Sequence, residues 1–191
     1  AVLARGDGEE VERIESPRPL RQMQPSLRRK SQALSKKKLD SRNRARARRR
    51  LARAHARIAA IRNDFVHRES SRLAKSHSRL VIEDLCVVGM MKTRLARSVA
   101  DSAWSMFATK LTYKANWYGA TLVVADRFYP STRRCSACGH EGEKLALSER
   151  IFHCSGCGHE ADRDTNAAAN LARYPSIVAS RLWPHVAAKH A

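Results

Sequence analysis

The sequence predicts an α/β fold that carries a long basic helical segment and a small cysteine-bearing insert. Two short apolar runs, 79–85 and 121–128, have the length and composition of β-strands, and amphipathic helical patterns lie before, between and after them. Two Cys-x-x-Cys pairs stand between the second run and the last helical pattern. This order of strand, helix, strand, insert and helix is typical of an α/β core with a module inserted before its last helix.

The first part of the chain predicts a hairpin followed by a basic helix. Residues 1–17 are expected to form the end of one strand, a turn at 5–8 and a second strand. Three prolines in 17–40 predict a loop that leads into the helix, which Asp40 or Ser41 would cap. Apolar residues then recur every three or four positions, as on one face of a helix: Leu51, Ala54, Ile58, Ile61 and Phe65.

The second part of the chain predicts the core elements in turn. In 79–85, Leu80, Ile82 and Asp84 would share one strand face, and Val81, Glu83 and Leu85 the other. The remaining pattern predicts, in order, a loop at 89–92, an amphipathic helix at 100–115, a strand at 121–128 and a short helix at 164–172 that ends before Pro175.

Length and composition narrow the class of protein. A chain of 191 residues, 43% of them hydrophobic, can hold one domain and a small module. No run reaches the roughly 20 apolar residues that span a bilayer, and no apolar signal segment follows the first residues, so we expect no membrane partner. The chain does not begin with Met, and we expect it to be a part of a longer protein.

The positive charge is concentrated in one third of the chain. The net charge is +19, and residues 18–79 contain 21 Lys or Arg against three acidic residues. Such a stretch is typical of a protein that binds a polyanion, because neutralising each phosphate releases condensed counterions. A solvated helix face and an anionic lipid surface are the alternatives, and the rest of the sequence favours nucleic acid.

Four of the five cysteines form two Cys-x-x-Cys pairs that are fifteen residues apart. Each pair offers two thiolates to one ion, and a glycine after its second cysteine lets backbone N–H groups approach the sulfurs. Two pairs complete the closed tetrahedral site of structural Zn²⁺, with two disulfides or an iron–sulfur site as the alternatives. The expected ligands are Cys135, Cys138, Cys154 and Cys157, with His140, His153 and His159 beside them but outside the ligand set.

Acidic residues occupy two positions where chemistry could occur. Glu83 lies in an apolar strand, where a buried carboxylate costs several kcal/mol unless a cation or hydrogen bonds compensate. The alternative is a strand-end residue that is partly in water. Asp162 and Asp164 stand at the start of the last helix, where Asp is a favoured cap. In the functional alternative, a carboxylate there points toward Glu83, and a metal between the acids supports phosphodiester hydrolysis.

Several motifs in a fixed order resemble the TnpB family. These are the OrfB-type accessory proteins of insertion sequences that single-strand transposases mobilise, and they are related to type V CRISPR effector nucleases. The resemblance covers essentially residues 1–173. It rests on the segments NRARARRRLARAHARIAAIRNDFVHR, VIEDLCVVGM, SVADSAWSMF, KANWYGATLVVADRFYPSTRRCSACG, CSGCG and DRDTNAAANL.

The resemblance implies an RNA-guided DNA endonuclease whose RNase H-like (RuvC-type) core is interrupted by a zinc ribbon. It implies DNA and a guide RNA from the mobile element as partners, in the cytoplasm of a prokaryotic cell at the nucleoid. The domains would be a first core segment at 1–134 with a basic insert at about 17–78, the ribbon at 135–160, the last core helix at 161–175 and a tail at 176–191.

The resemblance also assigns roles to individual residues. Glu83 and Asp164 match the second and third acids of the family and would be catalytic ligands of Mg²⁺. The family's first acid lies in a Gly-Ile-Asp-x-Gly strand that these 191 residues do not contain, so we expect the chain alone to be inactive.

Two other functions compete with the endonuclease interpretation. They are a non-catalytic zinc-ribbon protein that binds nucleic acid and an inactive remnant of a mobile element. The arginines expected to contact nucleic acid are Arg44, Arg48, Arg49, Arg53 and Arg163.

Overall fold

The structure is a computed structural model that describes residues 2–4, 10–146 and 148–175. The predicted turn at 5–8 and the tail at 176–191 lie outside the described residues. The chain divides into two compact units. The helical unit contains residues 16–72 and 86–111, and the α/β unit contains the described residues within 1–15, 73–85 and 112–175.

Two long helices dominate the helical unit. Helix α1 spans Pro19–Ser35, and α2 spans Arg42–Ser76. Leu27 of α1 packs with Ala54 and Ile58 of α2, so the apolar seam predicted for α2 is the face that it buries. Ser41 is the residue that caps α2, because its Oγ accepts a hydrogen bond of 3.1 Å from the N–H of Arg44.

The prediction of a loop through 17–40 was wrong, because most of this segment is α1. Pro19 occupies the first turn, where a missing N–H costs nothing. Pro25 lies inside the helix and removes one backbone hydrogen bond. The helix persists because Leu20, Met23 and Leu27 pack against α2, and this burial outweighs the local preference.

The segment between the two predicted strands also differs in detail. The predicted loop at 89–92 begins inside a helical turn, α3, at Val87–Met90. The predicted helix at 100–115 is two helices, α4 at Ala96–Ser102 and α5 at Trp104–Tyr118. They are separated at Ala103, whose φ of 51° is left-handed and incompatible with a continuous α-helix.

Within its described residues, the α/β unit contains short strands, the C-terminal ends of α2 and α5, and one further helix. Strands β1, Val2–Ala4, and β2, Glu10–Arg13, pair antiparallel. Strands β3, Arg79–Glu83, and β4, Thr121–Ala125, pair parallel, with Glu83 opposite Ala125. Strands β5, Ile151–His153, and β6, Glu160–Asp162, pair antiparallel, and helix α6 follows at Arg163–Ala172. The mixed α/β class is thus confirmed. The strands of the described residues form three separate two-stranded sheets, which by themselves do not show an RNase H-like sheet.

Helix α6 holds this unit together. It packs against β1 and β3, and Arg79 of β3 donates to the carbonyl oxygens of Ala172, the last residue of α6, and of Tyr174 just beyond it. Tyr174 is buried with Val123 and Ala125 of β4. The strand predicted at 121–128 stops at Ala125, because the chain turns there and the Asp126 carboxylate accepts from the N–H of Phe128 at 2.8 Å. Among the described residues, no helix is both long and apolar enough to cross a membrane.

Candidate functional site

The four paired cysteines come together in one cluster. Their sulfurs all lie within 4.8 Å of one another. Cys135 and Cys157 are 3.8 Å apart at sulfur, and Cys138 and Cys154 are 3.6 Å apart. A tetrahedral ion with metal–sulfur bonds of about 2.3 Å places its sulfurs about 3.8 Å from one another. A disulfide requires about 2.05 Å, so the alternative of two disulfides is wrong for this structure.

The two Cys-x-x-Cys segments, each with the glycine that follows it, are called knuckles here. They share a left-handed glycine and the same backbone hydrogen bonds. Gly139 and Gly158, which follow the second cysteine of each pair, have φ of 78° and 72°. Each donates its N–H to the carbonyl oxygen of the first cysteine at 2.9 Å. The N–H of Cys135 bonds to the carbonyl oxygen of His140, and that of Cys154 to His159, at 2.8 and 2.9 Å. A left-handed φ is unstrained for glycine, which explains why both pairs are followed by this residue.

The histidines beside the cluster are not among its ligands. His140 Nε2 lies 3.2 Å from Ser155 Oγ, and its ring covers Gly156 so closely that a Cβ there would stand 3.0 Å from His140 Cγ. His153 Nδ1 lies 2.9 Å from a carboxylate oxygen of Glu160. The expectation that these histidines lie beside the cysteines but outside the ligand set agrees with this geometry.

The electrostatics of the four thiols favour a bound cation. Burial raises the pKa of Cys154, but the N–H groups of Cys157 and Gly156 and the neighbouring thiols lower it to about 6. At Cys157 the N–H of His159 lowers the pKa, but the other thiols and burial raise it to about 12. Four ionised sulfurs within 4.8 Å of one another repel, and a cation between them offsets this repulsion. A four-thiol site of this size and charge is of the kind that binds Zn²⁺.

Glu83 occupies the carboxyl end of β3. Its side chain is half-buried, and one oxygen, Oε1, accepts a hydrogen bond of 2.9 Å from Ser131 Oγ. The next residue, Asp84, forms an ion pair of 2.8 Å with Arg127. The two acids of the IEDL segment are thus distinguished by the structure, because Asp84 pairs with a guanidinium and Glu83 with a neutral hydroxyl.

The acids at the start of α6 are distinguished in the same way. Asp162 is the cap: its Oδ1 accepts from the N–H groups of Asp164 and Thr165 at 3.0 and 3.1 Å, and it pairs with Arg13 at 3.2 Å. Burial raises the pKa of Asp162, but these contacts outweigh it, and the pKa is lowered. Asp164 is not needed as a cap; its Oδ1 lies 3.8 Å from Nε of Arg163, in a long ion pair, and 52% of its side chain is exposed. The capping interpretation therefore holds for Asp162, whereas the carboxylate of Asp164 lies outside the cap and is half exposed.

Two asparagines on α6 join this helix to the first knuckle. Asn166 accepts from the N–H of Ser136 and donates to the carbonyl oxygen of Arg134, both at 2.8 Å. Asn170, one turn later, donates to the carbonyl oxygens of Ser131 and Arg134 at 2.9 and 2.6 Å. Both asparagines are buried. The sequence prediction did not include them, although two Asn residues four positions apart on an alanine-rich helix face are a recognisable signal.

The predicted nucleic-acid contacts occupy different environments. Arg48, Arg49 and Arg53 are exposed on α2. Arg44 is half-buried and donates to the carbonyl oxygens of Leu34 and Lys37, at 3.4 and 3.2 Å, so it closes the end of α1. Arg163 exposes only 14% of its side chain and donates to the carbonyl oxygen of Ala146 at 3.2 Å. Their contact with nucleic acid stays a prediction, and the surroundings favour the three exposed residues.

The exposed arginines belong to a longer stripe on α2. At 100° per residue, the stripe faces away from the apolar seam. All its members are exposed, and within the described part of the chain none of them has an ion-pair partner. At a rise of 1.5 Å per residue, it is about 22 Å long. We call these residues the arginine stripe: Arg42, Arg46, Arg49, Arg53 and Arg57.

Asp101 in the helical unit is a buried charged residue that the sequence analysis did not single out. It is 5% exposed and accepts hydrogen bonds of 2.9 Å from Arg62 and from the backbone N–H groups of Leu20 and Arg21 at the start of α1. Burial raises the pKa of Asp101, and these hydrogen bonds lower it below its usual value. Asp101 is a structural residue, because it caps a helix that is 80 positions away along the chain.

Comparison with known proteins covers most of the chain. Residues 1–94 match the OrfB family of IS605 elements, described as a probable transposase, and residues 104–171 match the TNB domain of Cas12f1-like proteins. A candidate RNA-guided DNA endonuclease of Streptomyces pristinaespiralis is 43% identical over 161 residues, which are 84% of this chain. Another, of Mycobacterium tuberculosis, is 38% identical over 93% of this chain. The chain spans about 40% of the length of these relatives.

A solved structure supports the same relationship at the level of the fold. A CRISPR-Cas12f ternary complex, determined by cryo-electron microscopy, contains a chain that is 18% identical, with a TM-score of 0.60 over 84% of this chain and 34% of that one. From the family profiles, the relatives and the motifs together, this chain belongs to the TnpB family, the OrfB-type proteins of IS605 elements.

Proposed function

We propose that the chain is the nuclease part of an RNA-guided DNA endonuclease, with an RNase H-like (RuvC-type) core and a zinc ribbon. The observation that carries this proposal is the position of Glu83 at the end of β3, on which the helix that bears Asp164 packs. The relatives described as candidate RNA-guided DNA endonucleases support the reaction, and the arginine stripe supports a polyanionic partner.

The two carboxylates suit Mg²⁺, which prefers oxygen ligands. Ser131 holds one oxygen of Glu83, and the capping role of Asp162 leaves the Asp164 carboxylate accessible. When bound at such a site, Mg²⁺ activates the attacking water and stabilises the leaving oxygen of a phosphodiester. Glu83 and Asp164 would hold the metal from β3 and α6, together with a third acid of the Gly-Ile-Asp-x-Gly type.

The four-thiol cluster would bind structural Zn²⁺, because four sulfurs leave no open position for a substrate. Its first knuckle is bonded to α6 through Asn166 and Asn170. The ribbon would thus brace the helix that carries Asp164. Metal analysis of the purified chain should give one zinc per chain, and iron in its place would contradict this assignment.

The arginine stripe would contact the phosphates of DNA or of the guide RNA duplex. Unpaired guanidinium groups over about 22 Å can neutralise several phosphates of one strand or duplex. We expect binding that weakens steeply with salt and depends little on sequence, because phosphate contacts position a nucleic acid but do not read its bases.

The test of cutting needs a chain that supplies the third acid. We would join these 191 residues to the preceding segment of the Streptomyces relative, add its guide RNA and measure cleavage of a matched DNA target. Glu83→Gln and Asp164→Asn should each abolish Mg²⁺-dependent cutting. Asp84→Asn is the matched control, because Asp84 adjoins Glu83 but pairs with Arg127, and it should cut normally.

The outcomes distinguish an enzyme from a protein that only binds nucleic acid. The concentrated positive charge of residues 18–79 is the observation that favours the second function. Cutting that survives Glu83→Gln would exclude Glu83 as a catalytic acid. Full DNA binding without any cutting by the joined chain would favour a zinc-ribbon protein that only binds nucleic acid. The 191-residue chain alone should bind but not cut, and Mg²⁺-dependent cutting by it would contradict the three-acid mechanism.

A further inference from the structure

We propose that Ser131 is a positioning residue for Glu83 and that α6 controls the geometry of both proposed metal-binding acids. The inference rests on the proposed function, in which Glu83 and Asp164 hold the catalytic metal. Asp164 is part of α6 itself. Glu83 is connected to the same helix through the side chain of Ser131 and the backbone of the segment that precedes Cys135.

The first step of the connection is the hydrogen bond from Ser131 Oγ to Glu83 Oε1, 2.9 Å long. A hydroxyl that donates to a carboxylate makes a charge-assisted bond, which is stronger than a bond between neutral groups. Ser131 is only 5% exposed, so water has little access to replace its hydroxyl. The bond directs one oxygen of Glu83 and leaves the other, Oε2, for a metal ion.

The second step fixes Ser131 itself. Its carbonyl oxygen accepts from Asn170 Nδ2 at 2.9 Å, and its N–H bonds to the carbonyl oxygen of Tyr129 at 2.8 Å. Tyr129 in turn donates its hydroxyl to the carbonyl oxygen of Asn170 at 3.2 Å. Ser131 is therefore held at its N–H, carbonyl and hydroxyl groups, and two of the three contacts lead back to Asn170 on α6.

The two serines of the segment 131–136 make different kinds of contact. Ser131 reaches Glu83 through its side chain, whereas Ser136 contributes only backbone groups, its N–H to Asn166 and its carbonyl oxygen to Arg173. Both serines are 5% exposed. Ser136→Ala is thus a matched control for Ser131→Ala: it removes a hydroxyl from an equally buried residue of the same segment without touching Glu83.

The first experiment measures the order of the Glu83 side chain by NMR relaxation in the 191-residue chain, without catalytic metal. We expect an ordered side chain in the wild type and in Ser136→Ala, and an order parameter below about 0.6 in Ser131→Ala. Ser131→Thr retains the hydroxyl and should keep Glu83 ordered. A Glu83 side chain that is as ordered in Ser131→Ala as in the wild type would overturn the proposal.

The second experiment uses the joined chain described under the proposed function, which supplies the third acid, adds Mn²⁺ as the probe and follows the paramagnetic broadening of the Glu83 carboxyl signal. Ser131→Ala should require about 2- to 10-fold more Mn²⁺ for the same broadening, since it removes one hydrogen bond that orients the ligand. Equal Mn²⁺ dependence in Ser131→Ala and the wild type would refute the positioning role while the metal site stands. If Mn²⁺ does not broaden Glu83 in the wild type, the proposed metal site fails instead, and the order measurement still decides the role of Ser131.

Discussion

Replacing Asp101 by alanine should destabilise the helical unit more than any other single change of an acidic residue in it. The carboxylate of Asp101 is 5% exposed and accepts three hydrogen bonds of 2.9 Å. Two come from backbone N–H groups in the first turn of α1, whose own cap residue, Arg18, makes no capping contact through its side chain. The third comes from Arg62, whose side chain is 19% exposed.

The magnitude follows from the groups that the change leaves without a partner. Loss of a helix cap costs about 0.5–2 kcal/mol. Removal of one partner of a buried ion pair costs about 3–5 kcal/mol, because the other charge stays buried. The two effects share one carboxylate and are not additive, so we expect the free energy of unfolding to fall by about 3–5 kcal/mol in total. Asp64→Ala is the control, because the Asp64–Arg68 pair is 67% and 70% exposed and should contribute less than about 1 kcal/mol.

The assay is urea unfolding followed by circular dichroism at the helix band, at several pH values. The pKa of Asp101 is lowered in the folded state, so its contribution is present above the unfolded value of about 3.9 and is lost as the pH falls through the folded value. The difference between wild type and Asp101→Asn should therefore shrink only in strong acid. A loss below about 1 kcal/mol in Asp101→Ala at neutral pH would refute the capping argument.

Three further predictions concern metal and nucleic-acid binding. Cys154→Ser should abolish stoichiometric zinc binding, measured by metal analysis, because it removes one of four ligands within 4.8 Å. Gly156→Ala should weaken zinc binding about tenfold in a chelator competition, because its Cβ would stand 3.0 Å from His140 Cγ, and unchanged affinity would mean that the ring moves freely. Arg49→Gln in the arginine stripe should lower the slope of log affinity against log salt by about 0.9 for duplex DNA, whereas Arg68→Gln, which removes a charge already paired with Asp64, should change the slope less.

Local patterns in the sequence were sufficient for much of this protein. The cysteine spacing predicted the four-thiol cluster, since two knuckles with a following glycine have few other ways to fold. The apolar seam of α2 and the alternation in 79–83 predicted a helix and a strand with the observed buried faces. These features depend on residues that are close in the chain. The backbone conformation of one turn or one strand is sufficient to place their side chains.

Only the tertiary structure decided the features that depend on distant partners. Helix α1 contains Pro25, and its stability comes from α2 and from Asp101. The ion pair of Asp162 with Arg13 and the bond from Ser131 to Glu83 could not be inferred from spacing, because the partners are brought together by packing. The sequence by itself determined which residues could bind a metal or a phosphate. The fold determined which of them are already occupied by hydrogen bonds and ion pairs, because a polar group buried on folding must find its partner wherever the chain places one.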